Sequence, residues 1–515
     1  MSQCNAEEIG QPLNTLWPFP VEMRTTGVAA TPKTFKFAGA GLPAWFVKDM
    51  ERFGVRYSEE AEWVVNVSRD PGSKYAPEGY ELSIDARGAS IRAGDFRGEI
   101  YALQTLLQIV ALYSCKPQWA TIDIADRPAF KRRAFMVDLG RSIWSVEMLR
   151  RLVRILARLK MNTLHLHLFD DELCGIRFQG LPVGEENPYS LSLSDLGSLG
   201  AYAEGFGVNL MLEIETWGHV GSIIHHFPNL RGGEAEWGGS SFLIGKDSFL
   251  FVRKMVEQIL EILPSGGLLH LGLDEAKWFA DDSVPAGYNP AQLLSEYERM
   301  VGEVARMAGR GETLPIVGYA DHDGRQLLSD SNIILQPWNY WIKDKDDIER
   351  KLKIYPQHID RRWFPMAGQS MGHHRGAYAA TRLWCKSCLG LGNVEGIDLA
   401  FWGRNDFADR FLTIFAGSQF VWNPVKGSHV SNTEDAEHFD ALVHPIMNFH
   451  QYAFEDMNPE TWRKDSLDLV YRGFYMSGPR RGHPVAPTSL KAGTNQMQAF
   501  HQEVQIALNP LPNSV

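Results

Sequence analysis

The sequence predicts an α/β protein in which a small N-terminal α/β domain precedes a (β/α)8 TIM barrel. From residue 133 onward, short apolar runs alternate with segments whose apolar residues have helical spacing. This alternation occurs about eight times, which favours a closed barrel over an open sheet. The chain has 515 residues, which is too long for one ordinary domain and leaves room for both parts.

The first 125 residues have the pattern of the small mixed domain. WVVNVS (63–68) predicts a strand, and the alternating residues within 79–94 predict a hairpin. Residues 98–112 have the apolar spacing of a helix. The proline-containing segment DRPAF (126–130) then marks the junction to the barrel.

Apolar runs predict the barrel strands, and each run is followed by a helix or a long loop. The predicted strands are 134–139, 163–169, 208–214, 268–274, 313–319, 332–338, 362–368 and 396–402. The clearest helices are predicted over 145–160, 247–263, 290–309 and 435–454. We therefore expect an N-terminal domain at 1–128, a catalytic barrel at 129–456, and a C-terminal tail at 457–515 that packs on the barrel.

Composition and charge exclude several kinds of partner. The net charge of −11 and the absence of a basic stripe argue against nucleic acid. No apolar run approaches the roughly 18 residues of a membrane span. The opening residues lack the pattern of a signal peptide, so a cytoplasmic location is expected. Five cysteines are an odd and sparse set, which favours free thiols over disulfides or a zinc site.

Candidate catalytic residues follow the predicted strands, because a barrel carries its chemistry at the carboxyl ends of its strands. Asp274 and Glu275 stand where the apolar run of strand 4 ends. A like-charged neighbour and burial raise the pKa of one carboxyl, so one member can act as an acid while the other stays ionised. His219, after strand 3, could bridge Asp170 and Glu275 across the barrel mouth.

Other strand ends carry residues suited to sugar binding. Arg141, after strand 1, can hold two adjacent hydroxyls, or else close a loop by pairing with Asp138. Several aromatic residues at one barrel mouth could wall in a pyranose ring, although a single aromatic residue more often packs in the core. These residues are Tyr319, Trp338, Tyr340 and Trp402.

The chain resembles the family 20 glycoside hydrolases, the β-N-acetylhexosaminidases. VDLGRS resembles the family's D-x-x-R segment, and residues 78–109 resemble the end of its N-terminal domain. HLHLFDD is similar to H-x-H-x-x-D-D, and EIETWGH to E-[IV]-D-x-P-G-H. HLGLDE is similar to the hallmark H-x-G-x-D-E. The order of these segments is also that of the family.

The resemblance implies a retaining enzyme that needs no cofactor and uses the substrate's own 2-acetamido oxygen as nucleophile. Trp217 replaces the family's proline and could narrow the pocket toward single terminal sugars, so exo-action is expected. By resemblance, Glu275 is the general acid/base and Asp274 orients the acetamido group. Arg141 would grip the ring hydroxyls, while Asp170 and His219 would support Glu275. The expected partner is a glycan or glycoconjugate with a terminal N-acetylhexosamine.

The chain departs from the family pattern at the late strands. Trp338 would line the acetamido pocket, and Tyr319 stands where the family usually has tryptophan. The family's Tyr-x-Asp after strand 7 has no clean match, and Tyr378 or Tyr340 are the candidates to replace its tyrosine. At strand 8 the family's Trp-x-Glu reads Trp402-Gly-Arg404. Arg404 could admit an anionic group such as a 6-sulfate, or it could pair with a neighbouring acid.

Two other interpretations of the function stay open. A metal-dependent hydrolase could use His165, His167, His219 and Asp274, since His-x-His on a strand points both imidazoles to one face. A non-catalytic sugar-binding relative would explain the missing late-strand residues. A homo-oligomer, in which a second subunit completes the pocket, is compatible with each reading.

Overall fold

The computed structural model describes residues 10–275 except 172, 186, 188, 225, 235–239 and 244. It also describes parts of 289–457, chiefly 314–320, 333–340, 361–368, 374–402, 407–424, 445–449 and 451–457. Most of the predicted helix 290–309 and the predicted tail beyond residue 457 lie outside the described residues.

The chain divides into two compact units, and neither is one continuous stretch of sequence. The first consists of Met1–Arg133, Val153–Asn162 and Leu412–Asn458. The second consists of Ala134–Leu152, Thr163–Phe411 and Pro459–Val515. The domain limits expected from the sequence, at residues 128 and 456, stay a prediction.

The first unit contains a seven-stranded mixed sheet with the strand order β1-β7-β5-β6-β4-β2-β3. Its strands are β1 (Glu22–Ala30), β2 (Thr34–Ala38), β3 (Arg56–Tyr57), β4 (Val64–Arg69), β5 (Tyr80–Ile84), β6 (Gly88–Ala93) and β7 (Gln118–Asp126). The predicted hairpin is confirmed, since β5 and β6 pair antiparallel. The predicted helix is confirmed as Phe96–Tyr113, and the Asp95 side chain caps it by accepting from the Gly98 N–H. A shorter helix, Ala44–Arg52, precedes β3.

The second unit contains the eight-stranded parallel barrel, so the predicted fold class is confirmed. The strands after β7 are β8 (Arg132–Asp138), β9 (Thr163–His167), β10 (Ile176–Arg177), β11 (Leu191–Ser192), β12 (Asn209–Glu213), β13 (Arg231–Glu234), β14 (Ser240–Phe242), β15 (Leu268–His270), β16 (Ile316–Ala320), β17 (Ile333–Pro337), β18 (Met366–Gly368) and β19 (Gly396–Phe401). The barrel order is β17-β16-β15-β12-β9-β8-β19-β18, while β10–β11 and β13–β14 are short pairs outside it. Parallel bridges from Leu335 to Trp363 and from Trp338 to Met366 close the ring between β17 and β18.

Helices separate the barrel strands along the chain, as the sequence predicts. The described helices are Val146–Arg158, Leu193–Glu204, Gly221–Ile224, Lys246–Ile262, His374–Cys388, Phe407–Trp422 and Phe454–Met457. Among the helices of the described residues, none is long and apolar enough to cross a membrane.

The barrel interior changes from apolar to polar towards the carboxyl ends of its strands. One layer is apolar and consists of Ala134, Met211, Leu268, Val317, Ile334 and Phe364. Two residues further along three of these strands stand Glu213, His270 and Gln336, all fully buried. Side chains on one face of a strand recur at every second residue, so these polar groups form the next layer of the same interior.

Candidate active site

The candidate active site lies at the carboxyl ends of the barrel strands, where this fold carries its chemistry. Asp138 ends β8, His167 ends β9 and Glu213 ends β12. All three side chains are fully buried, as is Asp170 just after β9. Buried charges are tolerated only where other charges or hydrogen bonds compensate them, so these groups must act on one another.

The acidic pair stands on a sharply turned backbone segment, His270–Glu275. Gly272, Leu273 and Glu275 have φ angles of 64°, 86° and 52°. Left-handed backbone is uncommon for residues other than glycine, and such strain concentrates at functional sites. The turn ends the parallel ladder of β15 at His270 and directs Asp274 and Glu275 out of the strand.

Hydrogen bonds from neighbouring strands hold this segment in place. The Gly272 N–H donates to His270 Nδ1 at 3.0 Å, and the Tyr319 N–H donates to the Gly272 carbonyl at 2.8 Å. The Thr216 hydroxyl donates to the Leu271 carbonyl at 2.7 Å. The acidic pair is therefore fixed from both adjacent strands, which a preorganised catalytic group requires.

The raised pKa belongs to Asp274, which is the member of the pair expected from the sequence to stay ionised and not the expected general acid. Burial, together with the charges of Glu275 and Glu213, raises the pKa of Asp274 to about 7, against an opposing effect of His219. Asp274 is only 8% exposed, so little water is present to stabilise its ionised form.

His219 lies between the acidic pair and the acids after β9. Its Nε2 is 3.2 Å from Glu275 Oε2 and 3.8 Å from Asp274 Oδ2. Its Nδ1 is 3.1 Å from Asp171 Oδ2 and 3.5 Å from Asp170 Oδ1. Burial alone would lower the pKa of His219, but Asp170 and Asp274 outweigh burial and raise that pKa well above its usual value. His219 thus lies between Glu275 and Asp170, as the sequence predicts. Of the two acids after β9, Asp171 is nearer to His219 than Asp170 is.

Arg141 joins the acids at the ends of β8 and β9. Its Nη1 is 3.1 Å from Asp138 Oδ2, and its Nη2 is 2.6 Å from Asp170 Oδ2. Its guanidinium carbon also lies 5.6 Å from the ring centre of Trp402. Arg141 therefore pairs with Asp138 to close the loop. Its side chain is also 13% exposed, which places it at the barrel mouth.

Three aromatic residues form a connected wall at the ends of the last strands. Trp338 and Tyr340 stack with ring centres 5.3 Å apart. The Trp402 indole N–H donates to the Tyr340 hydroxyl at 2.8 Å. The Tyr340 ring rests on Gly368, where an added Cβ would lie 2.7 Å from its atoms. The wall thus depends on glycine at the end of β18.

The other predicted substrate-binding residues have different outcomes. Tyr319 is 1% exposed, and its hydroxyl lies 3.4 Å from Glu213 Oε2 inside the barrel. Tyr378 falls in the helix His374–Cys388, but its side chain lies outside the described residues. Arg404 also lies outside the described residues.

Sequence reasoning missed a buried charged network beneath the mouth. His165 Nδ1 hydrogen-bonds Asp398 Oδ2 at 2.7 Å, and His165 Nε2 lies 2.9 Å from Glu213 Oε2. His167 lies 3.0 Å from the same Glu213 oxygen and hydrogen-bonds Asp170 Oδ2 at 2.9 Å. Burial opposes protonation of His165, but Asp398 and Glu213 outweigh it and raise its pKa to about 9. The signal available in the sequence was the presence of isolated polar residues in otherwise apolar strands, two histidines in β9 and Asp398 in β19.

The chain matches two parts of one enzyme family. Residues 130–351 match the glycosyl hydrolase family 20 catalytic domain, and residues 25–126 match domain 2 of that family. The chain belongs to glycosyl hydrolase family 20. The catalytic-domain match ends before β18 and β19, where the family 20 pattern was least clear in the sequence.

Relatives of this family 20 chain include two curated proteins. It is 30% identical to a beta-hexosaminidase of Porphyromonas gingivalis over 229 residues, which is 38% of this chain and 29% of that protein. It is 28% identical to beta-hexosaminidase A of Caenorhabditis elegans over 274 residues, which is 50% of this chain and 44% of that protein. The chain therefore spans less than half the length of these two relatives.

A solved structure supports the family 20 fold. The chitobiase of Flavobacterium johnsoniae superposes with a TM-score of 0.69 at 18% identity. The superposition covers 92% of this chain and 76% of the chitobiase.

Three clusters in the described part of this family 20 chain have ligand types that could hold a metal ion. They are His165–Glu213–His270, His167–Glu213–Glu215 and Asp170–Asp171–His219. The nitrogen–oxygen distances of 2.9 and 3.0 Å around Glu213 are shorter than the separation of about 3.3 Å between ligands of a tetrahedral zinc ion. They suit direct ion pairs between the histidines and the carboxylate. None of the three clusters joins His219 and Asp274 to His165 and His167, the set that the metal-dependent reading requires.

Proposed function

We propose that this chain is an exo-acting, retaining β-N-acetylhexosaminidase that releases terminal β-linked GlcNAc or GalNAc. The observation that carries the proposal is the adjacent pair Asp274 and Glu275 at the barrel mouth, with His219 Nε2 3.2 Å from Glu275. The named relatives are beta-hexosaminidases, which supports the same substrate class.

The first step breaks the glycosidic bond with help from the substrate. The 2-acetamido oxygen attacks the anomeric carbon, while Glu275 gives its proton to the departing glycosidic oxygen. The product of this step is a bicyclic oxazolinium ion, and the nucleophile is already tethered beside the carbon that it attacks. Water then adds to that carbon from the face opposite the acetamido oxygen and gives a proton to Glu275. The bond between the anomeric carbon and the acetamido oxygen breaks in the same step, which restores the amide and retains the configuration.

Asp274 accepts the acetamido N–H and balances the positive charge that grows on the bicyclic ion. Because burial raises the pKa of Asp274 to about 7, its carboxylate is poorly stabilised in the empty site. A poorly solvated carboxylate gains most when a positive charge develops beside it, which is the property of a transition-state stabiliser.

His219 would hold Glu275 in place, and Asp170 would link His219 to Arg141 because its carboxylate contacts both side chains. The Arg141 guanidinium, held by Asp138 and Asp170, would donate to the ring hydroxyls of the sugar. Trp402 lies against the same guanidinium and would cover a face of the sugar ring.

Tyr340 is our candidate for the donor to the acetamido carbonyl, with Trp338 as the pocket wall. The Tyr340 hydroxyl accepts from the Trp402 indole and donates to Met366 Sδ at 3.2 Å. Because a thioether sulfur is a weak acceptor, this proton would turn to the substrate oxygen when the acetamido group is bound. Gly368 leaves the space that the Tyr340 ring fills beside β18, the strand that bears the tyrosine in the family pattern. Tyr319 would form the floor beneath, while Tyr378 and Arg404 keep their predicted binding roles.

The partners expected from the sequence stay part of the proposal. These are a glycan or glycoconjugate with a terminal N-acetylhexosamine, and no cofactor or metal. A cytoplasmic location and a homo-oligomer stay predictions as well.

Aryl β-glycosides of GlcNAc, GalNAc, 6-sulfo-GlcNAc and glucose, assayed with and without a chelator, test the proposal. We expect turnover of the two N-acetylated sugars, none of glucose, and no effect of the chelator. Turnover of the glucoside at the same rate as the N-acetylated substrates would rule out participation of the acetamido group. Loss of activity with chelator would favour the metal-dependent reading, and no turnover of any substrate would favour a non-catalytic sugar-binding protein.

A further inference from the structure

Glu215 is a buried carboxyl to which the proposed mechanism gives no role. It follows β12 by two residues and is fully buried. Among the described residues, neither of its carboxyl oxygens has a hydrogen-bond partner. The nearest cationic group is His167, whose Nδ1 lies 3.8 Å from Glu215 Oε1.

The Glu215 side chain lies directly against the backbone that carries the acidic pair. A Cβ built on Gly272 would lie 2.0 Å from Glu215 Oε2. Gly272 also has a φ of 64°, so both space and conformation require glycine there. The family pattern has aspartate where this chain has Glu215, and the extra methylene carries the carboxyl onto Gly272.

The charge state of Glu215 follows from these contacts. A buried carboxylate without hydrogen bonds is far more costly than a buried neutral carboxyl. The titratable groups that face it are Asp274 after β15, Glu213 on β12, His167 on β9, His219 after β12 and Tyr319 on β16. Burial raises the pKa of Glu215 well above its usual value, and the charges of Asp274 and Glu213 add to that effect.

We propose that Glu215 is a positioning residue that works as a neutral acid, packing against Gly272 to hold the catalytic turn without adding negative charge beside Asp274. This inference rests on the proposed function, because it concerns the same acidic pair. Glu213, the last residue of β12, provides the contrast. Burial would raise the pKa of Glu213, but the positive charges of His167 and His165 outweigh burial and hold that pKa well below its usual value.

The test compares E215Q with the matched variant E213Q in the full chain. Both replace a fully buried glutamate at the carboxyl end of β12, or just after it, by its neutral isostere. The measurement is the acidic limb of the pH profile of kcat/KM. The substrate is an activated aryl β-GlcNAc glycoside, because its hydrolysis depends little on proton donation by Glu275. We attribute this limb to the ionisation of Asp274, because the proposed mechanism requires its carboxylate.

E215Q should leave the acidic limb where it is in the wild type, because a neutral group replaces a neutral group. E213Q should move the limb to lower pH by about one unit, since it removes a negative charge that raises the pKa of Asp274. A similar downward shift in E215Q would show that Glu215 is ionised in the working enzyme and would overturn the inference.

Infrared spectroscopy gives a second measurement that needs no turnover. At pH 8, above the pKa of Asp274, the wild type minus E215Q difference spectrum should contain the carbonyl band of a protonated carboxyl. Absence of the band overturns the inference even if the protein does not hydrolyse the glycoside. If E215Q does not fold, E215D serves instead: pulling the acid back from Gly272 should lower kcat more than it changes KM, and an unchanged kcat contradicts the positioning role.

Discussion

Replacing Asp274 with asparagine should make the folded protein more stable at alkaline pH, although it removes a residue of the proposed reaction. Burial and neighbouring charges raise the pKa of Asp274 to about 7 in the folded protein. In the unfolded chain the carboxyl titrates near an ordinary pKa of about 3.9. The folded state therefore binds this proton more tightly, and stability falls as pH rises between these two values.

The size of the effect follows from the difference between the two pKa values. About three units correspond to about 4 kcal/mol of unfolding free energy, lost as pH rises from about 4 to about 7 and constant above that. Asparagine has no such loss. The stability of Asp274→Asn relative to the wild type should therefore increase by about 3 kcal/mol between pH 5 and pH 8.

Urea unfolding of both proteins at the two pH values measures this change. A fixed effect of the substitution, such as a lost hydrogen bond, is present at both pH values and cancels in the comparison. Glu261→Gln, an exposed change on the helix Lys246–Ile262, is the control and should show no increase. A stability difference between Asp274→Asn and wild type that stays constant, or that falls towards pH 8, would refute the reasoning.

Other substitutions test the remaining roles. Glu275→Gln should slow hydrolysis most for poor leaving groups and least for activated aryl glycosides, and equal losses in both would contradict the role of general acid. Arg141→Ala should lower kcat/KM by about 10- to 100-fold through lost charge-assisted hydrogen bonds, chiefly in KM; an effect in kcat alone would mean that Arg141 only supports Asp170. Tyr340→Phe should reduce kcat and weaken binding of a thiazoline mimic of the bicyclic ion, and unchanged inhibition would exclude it as the carbonyl donor.

The barrel could be predicted from the sequence because buried parallel strands are continuous apolar runs. Strand 4 shows where this fails. Its apolar run continues to Leu273, but the ladder ends at His270 because Gly272 and Leu273 adopt left-handed backbone. Periodicity does not report φ angles, so the turn that aims the acidic pair was visible only in the structure.

The N-terminal sheet was predicted only in part. The strands β1 and β7 were missed, although they pair over their full length from Glu22–Ala125 to Ala30–Gln118. Most residues of β1 are partly or fully exposed, so it lacks the alternation that marks a half-buried strand. Its pairing partner is also distant in the sequence, and local patterns carry no information about it.

The candidate site was also predicted only in part. Asp274, Glu275, His219 and Arg141 stand in segments that follow strands, where polar residues are easily noticed. Asp398 stands inside the strand GIDLAF, and its hydrogen bond to His165 joins residues 233 positions apart. Which of several buried acids contact which histidines depends on barrel closure, which the sequence alone does not specify.

The central claim is that the substrate's amide, and no group of the protein, attacks the anomeric carbon. Aryl glycosides with N-acetyl, N-fluoroacetyl, N-difluoroacetyl and N-trifluoroacetyl groups test this claim directly, because each fluorine makes the amide oxygen a weaker nucleophile while changing its size little. We expect kcat/KM to fall at every step of the series. Rates that do not change with the number of fluorine atoms would contradict it.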